Sequence, residues 1–264
     1  MTNQDTFETA YALRGSGPCV ALIHGLGLNR AMWQWQLPAL EPHFSVLTYD
    51  LYGHGESAAP VGRPDLALFS EQLLDVMNRC GFERAAMVGF SLGGMIARRF
   101  ALDHPDRLSA LAILNSAHGR TPEEREAILA RVQQAREKGP SATVNIALER
   151  WFTAPFRESN PAMMALIHRW VTSNDPTVYP EIYRVLAEGD IELAQDIERI
   201  ACPTLVMTGE EDSGNTPEMA KRMAALIPGA ESVILPNLRH MALAEAPATF
   251  NEPLVSFLRE ALAA

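Results

Sequence analysis

The stretch Gly89-Phe90-Ser91-Leu92-Gly93 sets one hydroxyl between two glycines, where an apolar run ending at Met87 and Val88 meets the helical spacing of Ile96, Ala97 and Phe100. A chain that turns from strand to helix without a polar loop forces its apex residue into strained backbone. Its neighbours must also lack bulk, because strand and helix nearly touch there. Such a turn lifts the Ser91 hydroxyl into a cleft and aims the Leu92 N–H at whatever that hydroxyl attacks. The chemistry this suits is nucleophilic catalysis. A serine hydroxyl is a poor nucleophile until a base within hydrogen-bond reach takes its proton, and a carboxylate must in turn hold that base.

Seven histidines are available as the base. His43 and His104 adjoin prolines at helix ends, and His168 lies in a helical segment far along the chain. His24, His54, His118 and His240 each follow or end an apolar run, so each could reach the same edge of a sheet as Ser91. Position alone leaves these four open. For the acid, Glu210, Glu211 and Asp212 directly follow a strand-like run, whereas Asn115 ends the run nearer Ser91 and carries no charge. Other chemistries find no motif. The run GLGLNR lacks the third glycine of a dinucleotide fingerprint, no phosphate-cradling GxxxxGK[ST] occurs, and no histidine and carboxylate spacing suggests zinc. A hydrolase without a cofactor is the reading that remains.

The elements that must position these groups follow from apolar periodicity. Six short runs, CVALIHG, FSVLTYD, AAMVGF, LSALAILN, PTLVMTG and ESVILP, are too short for helices and end in turn residues. Helical patterns at 65–79, 92–103, 216–227 and 247–262 alternate with them, which predicts a mainly parallel sheet covered by helices. The N-terminal FETAYALRG alternates more strongly and reads as an antiparallel edge strand. Within 92–103, Gly93, Ala97 and Ala101 share the sheet-facing side, with Arg98 and Arg99 opposite. From about 120 to 190 no strand is predicted. There Thr121, Pro122 and Glu124 make a capping box with proline at the first helical position, and Gly139 stops the helix. Met163, Leu166, Ile167 and Trp170 recur at helical spacing. The expected organisation is a core in two parts, 1–118 and 191–264, interrupted by a helical insertion at 119–190 that would form a lid.

Composition narrows the partners. The 264 residues are 47% hydrophobic, ample for one substantial core, and 22 basic against 32 acidic residues leave a net charge of −10. No basic stripe suits nucleic acid, no apolar stretch would span a bilayer, and the first residues do not read as a secretory signal. Cys19, Cys80 and Cys202 are isolated and odd in number, which fits a reducing cytoplasm. A small-molecule substrate, acted on by a monomer or small homo-oligomer, is the expectation.

Taken in order, HGLG, YDLYGHGES, GFSLGG, GEEDSGNTP and RHMALAEAPATFN resemble the α/β-hydrolase fold family over nearly the whole chain. That resemblance implies an eight-stranded, mainly parallel sheet with helices on both faces. It also implies a Ser91, Asp212 and His240 triad in the family's order, with Leu26 as a second oxyanion N–H donor beside Leu92. His24 would end the oxyanion strand, and His54 would hold a turn. The insertion and the segment after it, from ALERWF through MAALIPGA, are similar to 3-oxoadipate enol-lactonases, which open a small carboxylate-bearing lactone. This chain departs from them at His24-Gly25-Leu26-Gly27 and at Phe90-Ser91-Leu92. A sister activity on amides of enamine-type succinates, or on C–C bonds, would use the same triad. A non-catalytic ligand receptor and a cofactor-free perhydrolase are the minority readings. A carboxylate-bearing substrate would be repelled by a net charge of −10 and needs a local cation. The insertion offers Arg150, Arg157 and Arg169. Arg150 stands beside Trp151 in ERWF, and with His168 and Trp170 these are the expected substrate-binding residues.

Overall fold

The computed structural model describes residues 8–194 and 196–263. Seven strands are present among them: β1 (Tyr11–Arg14), β2 (Cys19–Ile23), β3 (Ser45–Tyr49), β4 (Ala85–Phe90), β5 (Leu108–Leu114), β6 (Thr204–Gly209) and β7 (Glu231–Leu235). They form one sheet in the order β1-β3-β2-β4-β5-β6-β7. β1 runs antiparallel to β3, and all other pairs are parallel. Each apolar run read from the sequence is one of these strands. The eighth strand implied by the family resemblance has no counterpart among the described residues, just as no eighth apolar run stands in the sequence.

Every residue of β2, β4 and β6 is buried, as a strand covered on both faces requires. On one face the helix Leu92–Asp103 packs on β2, β4 and β5 and against the helix Leu66–Arg79. On the other, the C-terminal helix Pro247–Ala261 packs on β5 and β7 and against the short helix Leu37–Leu40. The Asp65 carboxylate caps Leu66–Arg79 by accepting the Leu68 N–H at 2.8 Å.

Five α-helices lie between β5 and β6 among the described residues: Pro122–Lys138, Ser141–Trp151, Ala154–Ser159, Pro161–Thr172 and Tyr179–Leu193. The first begins at a reciprocal capping box. The Thr121 Oγ1 accepts the Glu124 N–H at 3.2 Å, and the Glu124 carboxylate accepts the Thr121 N–H at 2.8 Å. It ends at Gly139, whose φ of 76° lies in the left-handed region. Tyr179–Leu193 returns to the core and packs on Leu92–Asp103, so the outer side of that helix is covered as well. Arg98 is therefore fully buried. Its guanidinium donates to the carbonyls of Gly94 and Ala117 at 3.2 and 2.8 Å and to the Ser116 hydroxyl at 3.4 Å. Burial lowers its pKa to about 10. Among the described residues no helix is long and apolar enough to cross a membrane, and all three cysteines are free.

Candidate active site

Ser91 stands between β4 and the helix Leu92–Asp103 with φ 55° and ψ −113°, a backbone region that side-chain-bearing residues rarely occupy. The contacts around it explain the two glycines. A Cβ on Gly89 would lie 2.2 Å from the Gly93 carbonyl oxygen, and one on Gly93 would lie 2.1 Å from that of Ile23. Gly94 is equally confined, since a Cβ there would meet the Ser116 side chain at 2.6 Å. The Ser91 N–H donates to the Leu114 carbonyl at 2.8 Å, which ties the apex to the end of β5.

His240 lies on the segment after β7. Its Nδ1 is 2.7 Å from the Asp212 Oδ2, on the loop after β6. Both side chains are buried. The Asp212 carboxylate also accepts the N–H groups of Gly214 and Asn215 at 3.1 Å each and the Asn115 side-chain amide at 2.9 Å. Burial alone would raise its pKa. The facing His240 and these donors outweigh that and hold the carboxyl below its ordinary range. The imidazole is flanked by Phe90 and Trp151, with ring centroids 4.8 and 5.9 Å away. Ser91, His240, Asp212 and Leu26 line one cavity of about 290 Å³, of a size for a small molecule. The N–H groups of Leu26 and Leu92 enter none of the protein's own hydrogen bonds among the described residues.

The other candidate bases are engaged elsewhere. The His24 Nε2 accepts the Leu51 N–H at 2.9 Å, and the His54 Nε2 accepts the Gly27 N–H at 2.9 Å. Burial holds both imidazoles neutral, lowering His24 to about 4 and, with His24 beside it, His54 to about 3. His54 thus fixes the turn Gly25–Leu28 that carries the Leu26 N–H. His118 is lowered to about 4 by burial and then by Arg98. His104 faces Glu71 at 3.0 Å. Of the candidate acids, Glu210 accepts the Asn237 N–H and Glu211 pairs with Arg239 at 3.3 Å, both at the surface. Asp212 is the carboxylate of that trio that meets an imidazole.

The expected substrate-binding residues divide. Arg150 and Trp151 line the cavity. His168 and Trp170 are not among the residues that line it. The helix Pro161–Thr172 meets the cavity at Val171, and Trp170, about 100° further round the helix, packs on Trp35 with ring centroids 6.3 Å apart. Sequence reasoning missed Arg120, Arg131, Tyr179 and Tyr183, which also line it. A signal existed: Glu124, Ala127, Ile128 and Arg131 recur at helical spacing and share the cavity face of Pro122–Lys138. Asn115, dismissed for lacking charge, adopts a φ of 48° and uses its amide to hold Asp212.

The insertion is laced to the segment around His240. The Met241 N–H donates to the Trp151 carbonyl at 2.8 Å. Arg239 donates to the carbonyls of Glu149 and Phe152 at 2.8 and 3.3 Å, and the Thr153 N–H to Glu245 at 3.1 Å. Among the described residues no group of three or more His, Cys, Asp or Glu side chains is spaced to hold a metal ion.

A family model described as alpha/beta hydrolase fold matches residues 18–247. The chain is 28% identical over 248 residues to (E)-2-((N-methylformamido)methylene)succinate hydrolase of Acinetobacter baylyi, covering 94% of this chain and 93% of that one. It is 28% identical over 261 residues to 3-oxoadipate enol-lactonase 2 of the same organism, covering 98% and 96%. The crystal structure of the enol-lactonase from Burkholderia xenovorans LB400 superposes with a TM-score of 0.89 at 31% identity, covering 95% of this chain and 96% of that one.

Proposed function

The chain belongs to the α/β-hydrolase fold family, and from that premise we propose that it is a serine hydrolase acting on a small, carboxylate-bearing ester or lactone. The observation that carries this reading is the placement of Ser91, at a strained elbow, in one cavity with a buried His240–Asp212 pair. The Asp212 carboxylate holds the proton on Nδ1, which leaves Nε2 as the base. Nε2 takes the Ser91 proton as Oγ adds to the substrate carbonyl. The carbonyl oxygen becomes an oxyanion met by the N–H groups of Leu26 and Leu92, each worth roughly 10²–10³ in rate. The intermediate collapses, His240 protonates the leaving oxygen, and an acyl-Ser91 ester remains. Water, deprotonated by the same imidazole, then releases the acid and restores the hydroxyl. An enolate leaves more readily than an amine, so an enol lactone asks less of the acid step. Arg150, which lines the cavity, serves as the anchor for the substrate carboxylate.

Amide hydrolysis on the same groups is the second reading. It is favoured by the 28% identity to a hydrolase of an N-methylformamido-methylene succinate. Product analysis on enol-lactones, succinate-type enamides and simple esters separates the two. The nucleophile is tested by Ser91→Ala, which should abolish covalent labelling by a serine-directed phosphonate and lower kcat by roughly 10³–10⁶. Labelling that persists on another residue overturns the reading.

A further inference from the structure

Three guanidinium groups border the cavity, those of Arg120, Arg131 and Arg150. This is unexpected in a chain of net charge −10. Several arginines elsewhere pair with carboxylates: Arg30 with Asp50 and Glu56, Arg136 with Glu181, and Arg239 with Glu211. None of the three cavity arginines makes such a pair among the described residues. Two acidic residues also line the cavity, and both are committed. Asp212 holds His240, and Glu124 closes its own helix cap.

The three charges stand at two stations. Arg131 donates to the Tyr183 hydroxyl at 3.0 Å, and Arg150 adjoins the same tyrosine. The Arg150 Nε is buried with no hydrogen-bond partner. Burial and then the neighbouring Arg131 lower the Arg150 pKa, and both residues line the same wall of the cavity. Arg120 stands apart, on the loop after β5. It donates to the Leu186 carbonyl at 2.9 Å and to the Asn215 side-chain oxygen at 3.4 Å, three residues from Asp212. These are neutral acceptors. The nearby Asp190 carboxylate accepts the backbone N–H groups of Gly119 and Arg120 and shares its charge with the buried Arg98, so the Arg120 guanidinium bonds no carboxylate directly. An incoming anion that bonds a buried guanidinium offsets its desolvation. One carboxylate needs one such station, and the cavity has two.

We propose that the substrate is a small dicarboxylate, with one carboxylate seated between Arg131 and Arg150 beside Tyr183 and the other on Arg120 beside Asn215. This rests on the proposed catalytic site and deepens it, since the first carboxylate is the one assigned to Arg150. Arg120 then separates dianions from monoanions, while Arg131 and Arg150 accept both.

The test reads binding, independently of turnover. Calorimetry at fixed ionic strength and pH 7.5 compares succinate and glutarate with their monomethyl esters, on the wild-type chain and on Ser91→Ala. The dianions should bind roughly ten-fold or more tightly than the monoesters, the effect of one added charge-assisted hydrogen-bond pair. Arg120→Gln should erase that preference yet leave monoester binding within about two-fold, whereas Arg131→Gln should weaken both. Equal affinity for dianions and monoesters in the wild type overturns the proposal, as does binding of neither. Because the wild-type ratio decides, an Arg120→Gln chain that fails to fold does not spare it. A dianion preference in Ser91→Ala that still hydrolyses esters would sink the nucleophile and leave this inference standing. A Ser91-dependent esterase without the preference would do the reverse.

Discussion

Around Ser91 the limiting contacts are backbone against backbone, with Gly89, Gly93 and Ile23 so close that a single methyl group would collide at 2.1 to 2.2 Å. Across the cavity the insertion contributes the tips of long side chains, Arg131, Arg150 and Tyr183, carried on helices whose own hydrogen bonds do not involve them. The first region admits almost no change of residue without moving strands. The second can exchange one tip for another while its backbone stays in place. Under the proposed function, reaction type resides at the sheet edge and substrate choice in the insertion.

The sharpest way to break this division is Asp212→Asn. Loss of the carboxylate should lower kcat by roughly 10⁴ at neutral pH on any substrate, because the imidazole loses the partner that fixes its tautomer. Rates on p-nitrophenyl acetate check it, and a variant that keeps most activity would move the acid role to Glu210 or Glu211. A smaller and selective effect should follow Arg150→Ala. KM for a carboxylated lactone should rise roughly 10–100-fold, with p-nitrophenyl acetate hydrolysis within about two-fold. Equal losses on both substrates would make Arg150 structural and erase the contrast between the two regions.

The smallest effect concerns the histidines beneath the elbow. His24 and His54 fold with values of about 4 and about 3 against an ordinary 6.5. In the window between, the unfolded chain binds protons that the folded chain refuses. These groups therefore leave stability untouched well above pH 6.5 and subtract from it as pH falls through 6.5 toward 4 and below. At pH 6 the loss is about 1 kcal/mol per histidine. Urea midpoints at pH 7.5 and pH 6, a range in which ordinary carboxylates do not titrate, read the summed effect of His24, His54 and the likewise lowered His118, and a flat profile would contradict these buried, neutral imidazoles.

Much of this was legible in the residues. Strand runs bounded by turn residues located the sheet, because burial on both faces leaves a continuous apolar signature. The elbow was legible because only glycine fits on either side of Ser91. The Thr121–Glu124 box was legible because capping is local. The base was not, since four histidines end up near one sheet edge and only tertiary contacts occupy His24, His54 and His118. The family resemblance, not the spacing, singled out His240 and Asp212. Arg131 escaped notice because a cavity-lining helix face mixes charge with alanine and isoleucine and looks like any solvated surface, and Arg120 because a loop residue carries no periodic signal. That His168 and Trp170 lie off the cavity wall was not legible either, since periodicity gives a helix a buried face without saying what buries it.

The lacing between Met241 and Trp151, reinforced by Arg239 and Thr153, has a mechanical consequence. The border from Glu149 to Thr153 acts as a fixed jamb, joined to the very segment that carries the imidazole. The wall formed by Pro122–Lys138, which presents Ala127 and Arg131, has no such tie to the His240 segment among the described residues. An excursion of the Trp151 backbone would pull on Met241, next to His240, so displacement of this wall is felt directly at the imidazole.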